Sequence, residues 1–258
     1  MTAGRRTGAS GAGRRTGALA RNAAVAAAAA HLVPAGTWLP GPRRVLFPAL
    51  SGQGRSDHIA LTFDDGPDPH STPRFLDALD ELAVTATFFV LGESVMRYPR
   101  TTREIAFRGH ELAVHGWTHN RPWLPRPVRD VSEVAGAARA VRLTTGAVPL
   151  WYRPPYGVLT GGRWFAAVRA GLRPILWSAW GHDWSPNATP ASVLAALGGG
   201  LRGGATVLLH DSDRSSSPGC WRVTLAALPH LVTACRAAGL EVGPLADHGV
   251  PRLPVSPR

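Results

Sequence analysis

The chain has 258 residues, 45% of them hydrophobic, which suffices for one domain with a substantial core and excludes a chain disordered throughout. Its formal charge of +11 would suit a nucleic-acid binder only if it were spread over a folded face, but eight Arg (5, 6, 14, 15, 21, 43, 44 and 55) precede Asp57, the first acidic residue; removing these eight from the 28 basic residues leaves 20 against 17 acids. All 28 are Arg and none is Lys, a compositional bias rather than a phosphate-binding signal, so no nucleic-acid partner is expected.

Residues 1–55 read as an Arg- and Ala-rich leader. Basic residues come first, then the Ala-rich run Ala23 to Ala30, then His31-Leu32-Val33-Pro34-Ala35, an order that resembles an export signal or anchor segment with a small-residue end. Because Ala is weakly apolar and His31 interrupts the run, a disordered leader entering a short helix is an equal alternative. The first reading brings membrane or cell-wall association through the N-terminus; localisation stays open between the two.

From His58 onward, short β-rich runs alternate with amphipathic stretches. Strands are expected at His58 to Phe63, Thr87 to Leu91, Glu111 to His115, Pro149 to Tyr152, Arg173 to Ser178 and Thr206 to His210. Helices are expected at Ser71 to Leu82, Pro99 to Arg108, Val128 to Leu143, Arg163 to Ala170, Pro190 to Leu197 and Trp221 to Ala238. The alternation implies an α/β domain over residues 56–248 built on a parallel sheet or barrel, with a Pro-rich tail at 249–258. Cys220, directly before the last helix, and Cys235, within it, would lie roughly 22 Å apart at about 1.5 Å per residue, so two buried free thiols are expected rather than a disulfide.

Polar residues recur where the strands end, and in a parallel α/β barrel the carboxyl ends of strands are where sites assemble. In Thr62-Phe63-Asp64-Asp65-Gly66-Pro67 the two adjacent carboxylates point to opposite sides, so one can bind a cation while the other faces a water; alone, the segment is also an ordinary Asp-Gly turn. His115-Gly116-Trp117-Thr118-His119 spaces two imidazoles at i and i+4, and with a carboxylate they make a two-His, one-Asp cation site with positions open for water. Such a pair in isolation is more often structural; its place after an apolar strand favours the site.

These two segments are followed by Arg153-Pro154-Pro155-Tyr156, by Asp183-Trp184 and by Thr206-Val207-Leu208-Leu209-His210. In this order, from Ile59 to His210, they resemble the five motifs of the polysaccharide deacetylase family, the NodB homology domain of carbohydrate esterase family 4. The resemblance implies a deformed (β/α) barrel that hydrolyses N-acetyl groups on the sugars of a polysaccharide or oligosaccharide, with water on one divalent metal ion as nucleophile. It implies Asp65, His115 and His119 as metal ligands, Asp64 as general base and His210 as general acid. Arg153 is implied to orient Asp64, Asp183 to pair with Arg153, and the Tyr156 backbone N–H to stabilise the oxyanion. Leu208 would form part of an acetyl pocket, with Trp184 and Pro154 in the substrate groove. Zinc suits the ligand set first, and cobalt, nickel or iron would fit it too.

Two departures stand out: the segment before Asp183 lacks an earlier acidic residue common in the family, and Gly116 stands where Ser or Thr is frequent. The rival readings are an O-deacetylase acting on acetylated xylan, a catalytically silent glycan- or wall-binding protein, and a nucleic-acid binder driven by the Arg-rich leader, which would show salt-dependent DNA affinity lost on deleting residues 1–55. A chitin-like oligomer, peptidoglycan and an exopolysaccharide are all allowed as the N-acetylated glycan, the choice falling to loops such as Asn120 to Pro127 and Asp211 to Gly219.

Overall fold

The computed structural model describes residues 9–121 and 125–251. Residues 1–8 of the leader, 122–124 of the loop after His119 and 252–258 of the tail lie outside the described residues.

The N-terminal part forms α1 (Ala9–Leu32), a 3-10 turn over Val33–Trp38, and α2 (Pro40–Leu46). None of the described helices is by itself long and apolar enough to cross a membrane. This part packs on the domain that follows: Arg43 is buried, and the Ala30 carbonyl lies so close to Gly161 that any side chain there would overlap it.

The domain runs β1 (His58–Asp64), α3 (Thr72–Glu81), β2 (Thr87–Val90), α4 (Gly92–Arg97), α5 (Pro99–Phe107), β3 (Glu111–Val114), α6 (Pro127–Thr145), β4 (Trp151–Tyr152), α7 (Gly161–Arg169), β5 (Arg173–Pro174), β6 (Ala179–Trp180), α8 (Pro190–Gly198), β7 (Thr206–His210), α9 (Trp221–Ala237) and β8 (Glu241–Gly243). Local chemistry sets several ends. Thr189 and Ser192 form a reciprocal capping box around Pro190 at the start of α8, and α6 stops at Gly146, whose φ of 77° is the left-handed conformation that glycine adopts without a Cβ clash. Cys220 and Cys235 are both buried and free.

All paired strands are parallel, in the order β5-β4-β3-β2-β1-β7-β6, and β8 pairs with β1. β1 is central and buried along its whole length, as a strand covered on both faces must be. One edge of β1 meets β7 through residues 60–64; the other is shared, β8 taking residues 58–60 and β2 residues 62–64.

The sheet curls because β5 and β6 sit at opposite ends of the strand order, yet only residues 175–178 separate them. Five residue steps span at most about 18 Å, so the outer edges face each other across a narrow seam, giving the deformed (β/α) barrel. This corrects the expectation of one strand from Arg173 to Ser178: the chain leaves the sheet at Pro174, crosses the seam and rejoins at Ala179.

Alternation along the strands divides the core. Ile59, Leu61, Phe63, Phe88, Val90, Leu112, Val207 and Leu209 pack outward with the helices, whereas Ala60, Phe89 and Ala113 belong to an inner cluster with Trp151 and Ile175. The two-residue period then carries the inner parity upward, from Ala60 to Thr62 and Asp64, from Ala113 to His115, and from Leu208 to His210.

Candidate active site

Above the inner cluster, at the carboxyl ends of the strands, lies a cavity of about 720 Å³. Asp64, Asp65, His115, His119, Tyr156, Trp184, Leu208 and His210 all line it. Asp64 and His210 are direct register partners across β1 and β7, so a carboxylate and an imidazole far apart in sequence start from neighbouring backbone positions.

Asp65 follows the end of β1 with a φ of 78°, so it leaves the strand direction of Asp64 and turns under the two imidazoles. Its Oδ1 lies 3.5 Å from His115 Nε2 and 3.6 Å from His119 Nε2. The His115 Nδ1–H donates to the Arg153 carbonyl at 2.8 Å; a carbonyl only accepts, so this fixes the tautomer and leaves the Nε2 lone pair facing Asp65. Gly116 has a φ of 95°, which explains a glycine where Ser or Thr is frequent: the loop swings back here to bring His119 beside His115, with ring centroids 5.3 Å apart.

Asp65, His115 and His119 offer one ligand atom each, all within 4.8 Å of one another. Both carboxylate oxygens of Asp65 are buried without a hydrogen-bond partner among the described residues, a costly arrangement for an anion unless a cation meets it. Two neutral imidazoles and one such carboxylate fit a single divalent ion at bond lengths of about 2.0–2.2 Å. The titration behaviour agrees with this donor set. Burial pushes the Asp65 carboxyl up, but the facing His115 imidazole, with His119 and His210 nearby, outweighs it and holds the group below the usual carboxylate range. Burial depresses His119 to about 4, more than Asp65 can offset, keeping the imidazole neutral.

Asp64 is held from below. Arg153, fully buried, gives one Nη1 to Asp64 Oδ1 at 2.7 Å and to Thr62 Oγ1 at 2.8 Å, and its Nη2 to the Leu176 carbonyl at 2.9 Å. Its guanidinium lies over the Phe89 ring at 3.9 Å, so inner-cluster packing fixes its direction. Asp183, equally buried, does not pair with Arg153, contrary to the expectation above. Its Oδ1 accepts from His210 Nδ1 at 2.9 Å, and its Oδ2 from the His210 backbone N–H and the Thr224 hydroxyl, each at 2.7 Å. The reason is topological: Asp183 follows β6, and β6 neighbours β7 rather than β4. Burial alone would lower His210; the Asp183 charge and hydrogen bond, with Asp65 and Asp64 nearby, reverse this and push it up to about 10.

Tyr156 has a left-handed backbone at φ 61° and ψ 7°, an uncommon conformation for a bulky residue, and its ring meets His119 edge-on at 4.3 Å. Pro154 is buried, supports that turn by accepting the Gly157 N–H at 2.9 Å, and is not among the residues lining the cavity. Trp184 is 40% exposed at the rim, 6.1 Å from the stacked Trp180, which in turn stacks on His182 at 4.0 Å.

Sequence reasoning missed Asp211. It is buried beside the Asp64–Asp65 turn, so close to Gly66 that a Cβ there would overlap its carboxylate, and it accepts the Thr72 hydroxyl at 2.5 Å. Burial pushes it up to about 7. The only signal was an acid directly after His210. Also missed were Ala35, Trp38 and Leu39, cavity-wall residues from the N-terminal part.

Known proteins are similar to this chain. The polysaccharide deacetylase family model matches residues 51–175. A chitooligosaccharide deacetylase of Bradyrhizobium sp. (strain ANU 289) is 40% identical over 199 residues, covering 72% of this chain and 88% of the relative. The crystal structure of the Bc1960 peptidoglycan N-acetylglucosamine deacetylase matches with a TM-score of 0.72 at 26% identity, over 82% of this chain and 97% of that one. A family 4 acetyl xylan esterase from Clostridium thermocellum, solved with a cobalt ion, matches with a TM-score of 0.66 at 29% identity, over 73% of this chain and 88% of that one. The curled parallel sheet, the cation-ready triad and these likenesses agree, and the chain belongs to the polysaccharide deacetylase family of hydrolases.

Proposed function

We propose that the protein hydrolyses the N-acetyl group of N-acetylglucosamine units in an oligosaccharide or polysaccharide. The observation that carries this reading is the Asp65–His115–His119 donor set placed between two separately supported proton-transfer groups, Asp64 on Arg153 and His210 on Asp183. The 40% identity to a chitooligosaccharide deacetylase, over 88% of that relative, supports amide hydrolysis.

Asp65, His115 and His119 would hold one divalent ion, zinc first, whose Lewis acidity polarises the acetyl carbonyl and acidifies water. Asp64 is the base: Arg153 occupies Oδ1, leaving Oδ2, which lies 3.8 Å from His115 Nε2, to take the proton from the attacking water. The Tyr156 N–H, on the cavity-lining turn, donates to the oxygen that gains charge as the acetyl carbon becomes tetrahedral. His210, kept charged near neutral pH by Asp183, gives its Nε2 proton to the departing sugar amine, while its Nδ1–H stays on Asp183. Leu208 offers the acetyl methyl an apolar wall, and Trp184 a ring face for the sugar. The catalytic unit in this assignment is residues 56–248.

The test is acetate release from N-acetylglucosamine oligomers, peptidoglycan and acetylated xylan by metal-reconstituted protein, with a chelator-treated control. Chelator-sensitive acetate from the amino-sugar substrates is expected. Release from xylan alone would replace the amide reading with the ester one, and silence on all three despite tight metal binding would favour a glycan-binding protein.

A further inference from the structure

The cavity wall is not made by the matched family region alone. Ala35, Trp38 and Leu39, between α1 and α2, line the same cavity as Asp64, Asp65, His115 and His119, although the family match begins at residue 51. These residues are anchored. The Arg43 guanidinium, 1% exposed, donates to the Thr37 carbonyl at 2.8 Å, to the Trp38 carbonyl at 3.3 Å and to the Trp177 carbonyl at 2.7 Å, tying the segment to the seam between β5 and β6. It also sits 5.4 Å from the Trp177 ring, and Arg44 adds a bond to the Ser178 carbonyl. Ordering a buried guanidinium to hold a surface turn has a cost, so the turn's position is specified rather than incidental.

What the anchored turn presents is apolar. Trp38 is 46% exposed and Leu39 53%, and neither side chain offers a metal-ligand atom or can act as base or acid. Their contribution to a reaction in this cavity is contact area, which suits the C–H face of a pyranose ring. The sugar undergoing hydrolysis must bring its acetyl group to the triad, and the cavity of about 720 Å³ exceeds the volume of one N-acetylated sugar ring, leaving its Trp38–Leu39 wall free to meet a second. Building on the deacetylase reading, we infer that Trp38 and Leu39 form a subsite for the sugar next to the one deacetylated, making the substrate an N-acetylated oligosaccharide of at least two units.

The experiment is calorimetric titration of the full chain, reconstituted with zinc, with N-acetylglucosamine monosaccharide and tetramer. Wild type is compared with Trp38→Ala, Leu39→Ala and Val45→Ala, the last being 80% exposed and outside the cavity wall. Circular dichroism verifies that each variant is folded, and Leu39→Ala carries the test if Trp38→Ala is not. Trp38→Ala should weaken tetramer binding about tenfold, Leu39→Ala about threefold, and both should leave the monosaccharide within twofold; Val45→Ala should match wild type. Unchanged tetramer affinity in the folded variants, or no tetramer binding by wild type, overturns the subsite. Acetate measured on the same samples separates the two claims. Tetramer binding that depends on Trp38 without acetate release would remove the deacetylase reading and keep the subsite, whereas acetate release with Trp38-independent binding would remove only the subsite.

Discussion

Asp183→Asn isolates the support of the proposed acid. The carboxylate accepts three hydrogen bonds, two from His210 and one from Thr224, in a fully buried position. An amide of the same shape has one oxygen to accept with, which can serve the His210 N–H and the Thr224 hydroxyl on the Oδ2 side; its NH₂ then faces His210 Nδ1 and requires an unprotonated nitrogen there. The charge that pushes His210 up to about 10 is gone, and burial, the largest single influence, now acts with less opposition. The imidazole should titrate at or below its ordinary value of about 6.5. The sign follows: a raised pKa keeps the acid form up to about pH 10 in wild type, so the alkaline limb of kcat should move acidward by about three pH units or more in the variant. At pH 8, about 1.5 units above that value, only about 3% of the imidazole keeps the acid form, so turnover should fall at least about 30-fold, and further toward the 10²- to 10⁴-fold that a general acid contributes if the value lies lower. The assay is acetate release between pH 5 and 11 on chitin oligomers, with metal content measured in parallel. An alkaline limb that stays in place in a metal-replete variant would show that Asp183 does not set the protonation of the group that matters.

Three further outcomes are expected. Asp64→Asn should retain metal, since Asp64 is outside the donor triad, while turnover falls at least about 10²-fold; wild-type turnover would remove the base assignment. His119→Ala should lose metal and activity together, and a chelator should lower the melting temperature of wild type but not of this variant, because an ion that binds only the folded state stabilises it; equal chelator sensitivity would place the ion elsewhere. Gly157→Ala should destabilise the fold by about 2–4 kcal/mol, combining a left-handed backbone (φ 66°) with a Cβ that overlaps the Trp177 ring, as read by denaturant titration; a change under about 0.5 kcal/mol would mean that Trp177 yields freely.

The strands and helices that position the site were legible because the central strands are buried on both faces and so read as unbroken apolar runs. The run Pro174-Ile175-Leu176-Trp177 misled for the same reason: apolar residues crossing a seam look identical to apolar residues within a strand. α4, with six residues, and β8, with three, are too short for a period to register. The residues proposed as acid, base and cation ligands were visible as polar residues at strand ends, since inner-face parity and the strand terminus both follow from sequence. Partnerships were not. Asp183 was expected on Arg153 because sequence holds no strand order, and once β6 lies beside β7 the nearer partner is His210. The N-terminal wall was hidden by composition, because Arg43 in a Pro- and Gly-rich stretch reads as a solvated charge, whereas its three carbonyl partners bury it.

The shared edge of β1 bears on how the protein emerges from a ribosome. β1 meets β2 within some thirty residues, but its opposite edge stays bare until residues 206–210 are made, and the first half of its near edge until 241–243. The strand that bears Asp64 and leads into Asp65 is thus begun early and finished last, by contacts of high sequence separation that form slowly. A nascent or truncated chain ending before β7 already contains Asp65, His115 and His119 but lacks the strand that clamps β1 from the far side. Competence of the cation site is thereby tied to synthesis through β7, and a proteolytic cut ahead of residue 206 should disarm the protein without touching a single ligand.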